Sequence, residues 1–165
     1  MVDISFPDRN AAMARAMTLI GIIDQLFTTR ATAILKSTGL PYPRFGLLHH
    51  FGFNPTRGWT IGELANVMEM NQPAITKLVQ RLIEQNYLEV RPDDKDRRIK
   101  RCFITPAGLA ARQAAINALG PDVTTAFAGW ETKEIADLVA PLERLKVWLD
   151  DHRRLGSSII GAFDG

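Results

Sequence analysis

Cysteine is almost missing from this chain: Cys102 is the only one among 165 residues. A single cysteine excludes an internal disulfide and fits a reducing compartment. Histidine is nearly as scarce, with His49, His50 and His152 the whole set. A zinc site needs ligands converging from at least three positions, and helix neighbours point about 100° apart. His49 and His50 are therefore read as packing or surface residues, and no metal is expected. The chain has no G-x-S-x-G, no P-loop and no dinucleotide fingerprint, and its histidines stand far from any serine or cysteine motif. It is not read as an enzyme, and no cofactor is expected. No run of about 18 apolar residues appears, so no membrane-spanning helix and no membrane partner are expected. The opening Met1-Val2-Asp3-Ile4-Ser5 lacks the basic-then-apolar layout of a signal peptide, and the expected location is cytoplasmic. Net charge is low as well; at +2 it says nothing by itself about nucleic acid.

What is present is more telling. An apolar content of 46% over this length predicts one domain with a sizeable core. The charge is unevenly spread: Asn71 to Arg101 carries eight cations and five acids. Just before it, Thr60 and Glu63 have the spacing of a capping box, in which each side chain satisfies a free backbone N–H of the other residue. Behind that cap Ile61, Leu64, Ala65 and Met68 recur at helical spacing, so a short helix buries one face. A second helix follows, with Asn71 as N-cap and Pro73 in the first turn, where its missing N–H costs nothing. Ile75, Leu78, Val79 and Leu82 form its apolar face.

The opposite face of that second helix offers Gln72, Ala74, Thr76, Lys77, Gln80 and Arg81. Small residues at a helix start allow approach to the DNA major groove, amides and hydroxyls read base edges, and cations meet phosphates. Taken alone, the same face also suits an ordinary amphipathic helix in water. Tyr87 to Val90 then alternates like a half-buried strand, and Ile99 to Thr105 is its antiparallel partner. Between them Arg91 to Arg98 reads as a Pro/Asp-rich turn with its cations at the tip. From Lys95 to Arg101 there are five cations (Lys95, Arg97, Arg98, Lys100, Arg101) and one acid, Asp96. Two strands carrying a basic turn after a helix-turn-helix make a wing, whose use is to insert a guanidinium where the minor groove is narrow.

With these pieces in order, the sequence resembles the MarR family of bacterial transcription regulators. The resemblance is carried by Thr60-Ile61-Gly62-Glu63-Leu64-Ala65, by the helix Pro73 to Leu82, by Asp96-Arg97-Arg98 and by Ile104-Thr105-Pro106-Ala107-Gly108. It spans about Met13 to Leu155. It implies a mainly α fold with a small antiparallel β-wing: a winged helix-turn-helix over residues 41–108 within a single domain over 1–165. It further implies a homodimer built from helices in 9–37 and 109–165, with Arg98 as the wing-tip arginine and Asp96 orienting the wing. The implied partners are double-stranded DNA and a second copy, and the family default is a repressor. Redox-sensing relatives use a cysteine near the start of the first helix, which this chain lacks; Cys102 reads as a small core residue.

The flanking segments agree with a dimer. Residues 1–8 read as a loose arm, and residues 9–37 as a long helix with Leu19, Ile20, Ile23, Leu26, Phe27, Ile34 and Leu35 on one broad face. Even about 25 helical residues span about 38 Å, more than the core of one such domain requires. Gly39-Leu40-Pro41 ends it, and Pro43 starts a short helix through Phe51. A later helix is expected from Thr105 to about Leu119, broken or kinked at Gly120-Pro121. The last runs from a cap at Thr132 to about Leu155, with a kink at Pro141. The apolar tail 156–165 is expected to pack on the dimer.

By the same resemblance, a small aromatic or phenolic effector, often an acid, would act between the helical region and the winged head. Tyr42, Arg44, Phe45, His49 and Trp59 are the candidate pocket residues; core and hinge roles are the plainer alternative for them. Two other functional readings stand beside operator binding: a winged domain used only for protein contact, and a metal-responsive regulator.

Overall fold

Asp8 opens the first helix by accepting the Ala11 amide at 2.8 Å, which satisfies one of the free N–H groups of a helix start. In the computed structural model, which describes residues 7–153, helix α1 runs Arg9–Leu35 and tightens into a 3-10 turn, Lys36–Thr38. Gly39, at φ 71°, then turns the chain out of the helix, a conformation that costs glycine little. Most of the arm expected over residues 1–8 and all of the tail 156–165 lie outside the described residues. Helices α2 (Tyr42–Gly52), α3 (Ile61–Val67) and α4 (Gln72–Glu84) follow, then strands β1 (Leu88–Pro92) and β2 (Lys100–Ile104). Helices α5 (Pro106–Ala126) and α6 (Thr132–Asp151) complete the order. The fold is thus mainly α with one small antiparallel sheet, as expected.

The chain divides into two units, 1–122 and 123–165. The core of the first gathers Leu35, Leu40, Leu47, Leu48 and Phe51 with Leu64, Ile75, Leu82 and Leu88, each at most 2% exposed. Burying a side chain of this size stabilises by about 1.5–3 kcal/mol. The sheet pairs Leu88 with Ile104 and runs to Pro92 opposite Lys100. Trp59 adds a bridge to its far edge: its amide donates to the Cys102 carbonyl at 2.9 Å, and the Cys102 amide donates back at 2.8 Å. At the junction into α5, a Cβ on Gly108 would sit 2.2 Å from the Tyr87 carbonyl oxygen. Only glycine fits there.

Four boundaries differ from expectation. Arg91 and Pro92 belong to β1, opposite Arg101 and Lys100, so the turn is shorter than the sequence suggests. A proline is tolerated there because β1 is an edge strand, its outer side unpaired with any other strand among the described residues. Helix α5 continues past Gly120-Pro121 to Ala126; a proline removes one hydrogen bond of a helix, and here that loss does not stop it. The break comes instead at Gly129, at φ 87°. The cap of α6 is Glu131 rather than Thr132, with the Glu131 amide donating to Glu134 Oε2 at 2.8 Å. That helix runs through Pro141 and ends at Asp151, short of Leu155.

The expectation about membranes also needs correction. Residues Arg9–Thr38 are long and apolar enough, by length and composition, to cross one. Asp24 and Arg30 interrupt this segment without making it polar, so it holds no unbroken apolar run. Two features tie the helix to the folded unit. Ala31 and Leu35 lie in the core, and Arg30 pairs with Asp122 of α5, Nε donating to Oδ2 at 3.0 Å. Many of its other apolar side chains, among them Met17, Ile22, Ile23 and Leu26, are exposed. In the second unit no residue of α6 is buried, and Val139, Val147 and Trp148 are likewise exposed.

Candidate nucleic-acid interface

Helix α3 is fixed at its start by the capping box anticipated from Thr60 and Glu63. The Glu63 amide donates to Thr60 Oγ1 at 3.2 Å, and the Thr60 amide to Glu63 Oε2 at 2.7 Å. The turn into α4 passes through Glu69, at φ 51°. Asn71 then caps α4, its Oδ1 accepting the Ala74 amide at 2.9 Å. Ile75, Val79 and Leu82 seat the helix on the core, with Leu78 packed against them.

That seating turns the opposite face outward. Asn71, Gln72, Lys77, Gln80 and Arg81 are exposed, and Ala74 and Thr76 half-buried. The Thr76 hydroxyl donates to the Gln72 carbonyl at 2.8 Å, which leaves its oxygen free to accept. Arg81 donates to Glu84 Oε2 at 2.8 Å, one turn on. Lys77 makes no ion pair among the described residues. Chemically the face offers amides, a hydroxyl and two cations with room for close approach.

The wing presents a second set. Arg98 is nine-tenths exposed, with its side chain at 91%. Its guanidinium forks onto Asp96, Nε to Oδ1 at 3.1 Å and Nη2 to Oδ2 at 2.9 Å, while its amide donates to the same Oδ1 at 3.0 Å. These bonds hold the Asp96 carboxyl below its ordinary range, the Arg98 side chain acting most strongly. Lys95, Arg97 and Lys100 are exposed beside it. Asp93 organises the turn: its Oδ1 accepts the amides of Lys95 at 2.9 Å and Asp96 at 3.1 Å. The Arg101 guanidinium on its other oxygen, with those two amides, holds Asp93 down at about 2.

Arg101 is not a tip cation. It turns inward from β2, bonds Asp93, and donates through Nη1 to Glu63 Oε2 at 3.0 Å and to the Gly58 carbonyl at 3.2 Å. Sequence reading missed this role. Asp93 itself was signalled, because an aspartate that bonds backbone two residues on is a known turn former.

The five residues expected around an effector separate into different settings. Tyr42, Phe45 and His49 form a row along α2, with ring centroids 6.4 and 5.3 Å apart, which Phe27 extends from α1 at 6.5 Å. Arg44 is turned to Gln85, donating at 2.7 Å. Trp59 lies in the core, edge-on to His50 at 4.6 Å, with the Arg57 guanidinium 3.7 Å above its ring. A sixth residue, Arg112 of α5, went unnoticed in the sequence because nothing local marks it. It packs where a Cβ on Gly52 would stand 2.2 Å from its Nε. Burial, and then the charge of Arg112, lower the pKa of His49. His49 Nδ1 and Arg112 Nε are both buried without a hydrogen-bond partner among the described residues.

Comparison with known proteins fits this geometry. Residues 38–99 match the model of the MarR family. No curated protein matches the sequence. Among solved structures, the transcriptional regulator BldR from Sulfolobus solfataricus is 24% identical at a TM-score of 0.74, over 85% of this chain and 98% of that one. A MarR family protein from Bacillus stearothermophilus is 20% identical at 0.73, over 86% and 98%. A mutant MarR from E. coli complexed with operator DNA is 20% identical at 0.66, over 84% and 98%. Residues 38–99 thus resemble the MarR family, and the chain as a whole shares the fold of these regulators.

Proposed function

We propose that this chain is a cytoplasmic transcriptional repressor that binds a pseudo-palindromic operator as a homodimer and is released by a small aromatic effector. The observation that carries DNA binding is the pairing of two exposed, chemically matched elements in one unit. Helix α4 offers Gln72, Thr76, Lys77, Gln80 and Arg81, and the wing offers Arg98 held by Asp96. One structure of the same fold holds operator DNA. In this reading Gln72, Thr76 and Gln80 face base edges, Asn71 and Ala74 permit approach, and Lys77, Arg81, Lys95 and Arg97 meet phosphates.

The homodimer reading rests on apolar surface. Helices α1 and α6 expose Ile23 at 61%, Leu26 at 60% and Trp148 at 56%, more than a solvated face of a single chain warrants. The winged part over 41–108 then reads DNA, and helices within 9–37 and 109–165 pair two copies. Two recognition helices related by a two-fold axis read half-sites about one helical turn, or roughly 10 bp, apart.

An effector acts only through differential affinity for operator-competent and incompetent spacings. The aromatic row of Tyr42, Phe45 and His49 and the unbonded nitrogens of His49 and Arg112 suit an aromatic carboxylate. Arg44, turned to Gln85, and Trp59, packed on His50, stand outside that row.

Capture of sheared genomic DNA by the purified protein, with Arg98→Ala as control, tests the reading. Enrichment of a palindromic site by the wild type alone supports it. No enrichment at low and moderate salt transfers the weight to a protein-contact module.

A further inference from the structure

Behind the wing tip lies a cavity of about 730 Å³ between the loop before α3 and the base of the wing. Its walls carry Arg57, Arg91 and Arg101 and, in equal number, Glu63, Asp93 and Asp94. The cavity has no net charge to offer a ligand, and most of its charged groups already stand in ion pairs. Arg101 bonds Asp93 and Glu63, Arg57 reaches Glu63 at 3.5 Å, and Arg91 pairs with Glu89. These contacts form a continuous line through the fold. Glu63 is fixed in the first turn of α3 by its capping box. Arg101 bridges Glu63 to Asp93. Asp93 holds the Asp96 amide, and Asp96 holds Arg98.

We propose that Arg101 is a positioning residue: a strut that sets the wing against the helix-turn-helix so that Arg98 reaches the groove, without touching DNA itself. Its exposure decides against direct contact. The Arg101 side chain is 29% exposed where that of Arg98 is 91%. The strut also screens a repulsion. Without the guanidinium, Asp93 loses its ion pair and Glu63 keeps only the longer one to Arg57, so the two carboxylates that Arg101 drew together repel and favour opening of the wing base. Gly58 contributes by shape. A Cβ there would stand 2.3 Å from the Phe103 ring, so a side chain at this position would require that ring to move from its place on β2.

The inference rests on the DNA-binding reading, and the test separates the two. Arg101→Met, Arg98→Ala and the double variant are titrated against the captured operator. Arg101→Met should weaken binding about tenfold in the wild-type background and hardly at all once Arg98 is alanine, since contacting networks couple in this range. Equal losses in both backgrounds would overturn the strut and make Arg101 an independent contact. A second readout needs no DNA. The Arg98, Ile99 and Asp93 amides are bonded within the wing, and in Arg101→Met they should exchange with solvent faster while the α4 amides keep their protection. Unchanged wing exchange also overturns the proposal, whereas faster wing exchange in a protein that captures no DNA sinks only the regulator reading. If Arg101→Met unfolds, Glu63→Gln takes its place, because glutamine still serves the capping box but no longer carries the charge. Arg101→Lys, which keeps one ion pair, should recover part of the affinity.

Discussion

Asp96 grips Arg98 at three points, two on the guanidinium and one on the backbone amide. The arginine is therefore fixed before any partner arrives, so less rotamer freedom is lost on contact. Arg98→Ala is expected to weaken operator binding by about 1–3 kcal/mol. Asp96→Asn, which keeps the cation but loosens its fork, should cost less. Lys77→Ala and Arg81→Ala should each lower the salt dependence of binding by about one unit of slope. Anisotropy titrations of a labelled operator at several salt concentrations read all four. Affinity indifferent to Arg98, Lys77 and Arg81 together would remove the groove assignments.

The glycines make a prediction about stability alone. Gly108 faces the Tyr87 carbonyl so closely that Gly108→Ala must displace backbone. Overpacking of this kind costs about 1–3 kcal/mol. Gly46 lies inside α2 with only the Met68 Cε near its missing Cβ, at 3.9 Å. Gly46→Ala should therefore stabilise by about 0.5–1 kcal/mol through helix propensity. Thermal melts of the two variants should move in opposite directions. A shared direction would mean that the close approach at Gly108 is not rigid.

The parts of this fold that were legible are the ones whose chemistry is local. Thr60 with Glu63, Asn71 with Ala74, and Gly39 each complete an interaction within a few residues, so spacing alone reveals them. The buried faces of α3 and α4 follow from helical period. The wing was visible as a basic turn between two strands. Arg101 was misread because its sequence neighbours are cations, while its partner Glu63 is 38 residues away. Arg112 was missed for the same reason, since its neighbour His49 belongs to a distant helix. The continuation of α5 through Pro121 was missed because a proline's local cost was taken to decide the helix. Strand residues Arg91 and Pro92 were assigned to the turn on composition, although pairing decides it.

Cys102 offers a negative prediction. It is 3% exposed, and burial pushes its thiol up to about 11. The nucleophilic thiolate is therefore scarce at neutral pH. Thiol-disulfide reagents should label the native protein slowly and only through opening, and rapidly once it is denatured. Peroxide should leave operator affinity unchanged. Fast labelling of the folded protein would reopen a redox role.

His49 contributes to the pH dependence of the first unit's stability. Burial and the charge of Arg112 lower its pKa below the ordinary 6.5, so the folded protein holds the neutral ring. The unfolded chain takes up its proton near 6.5, and below that pH it binds more protons than the folded state. Stability is then full above about 6.5 and declines as pH falls toward the folded value. Chemical denaturation at pH 7.5 and 5.5 should show the wild type losing stability on acidification. His49→Gln, which cannot titrate, should lose less. The same ring faces the proposed effector pocket, and that gives the experiment a second arm. An aromatic carboxylate bonded by His49 and Arg112 would favour the protonated ring, so its binding should raise the His49 pKa, as followed by the imidazole proton shifts. A ligand that binds without moving that titration occupies some other place.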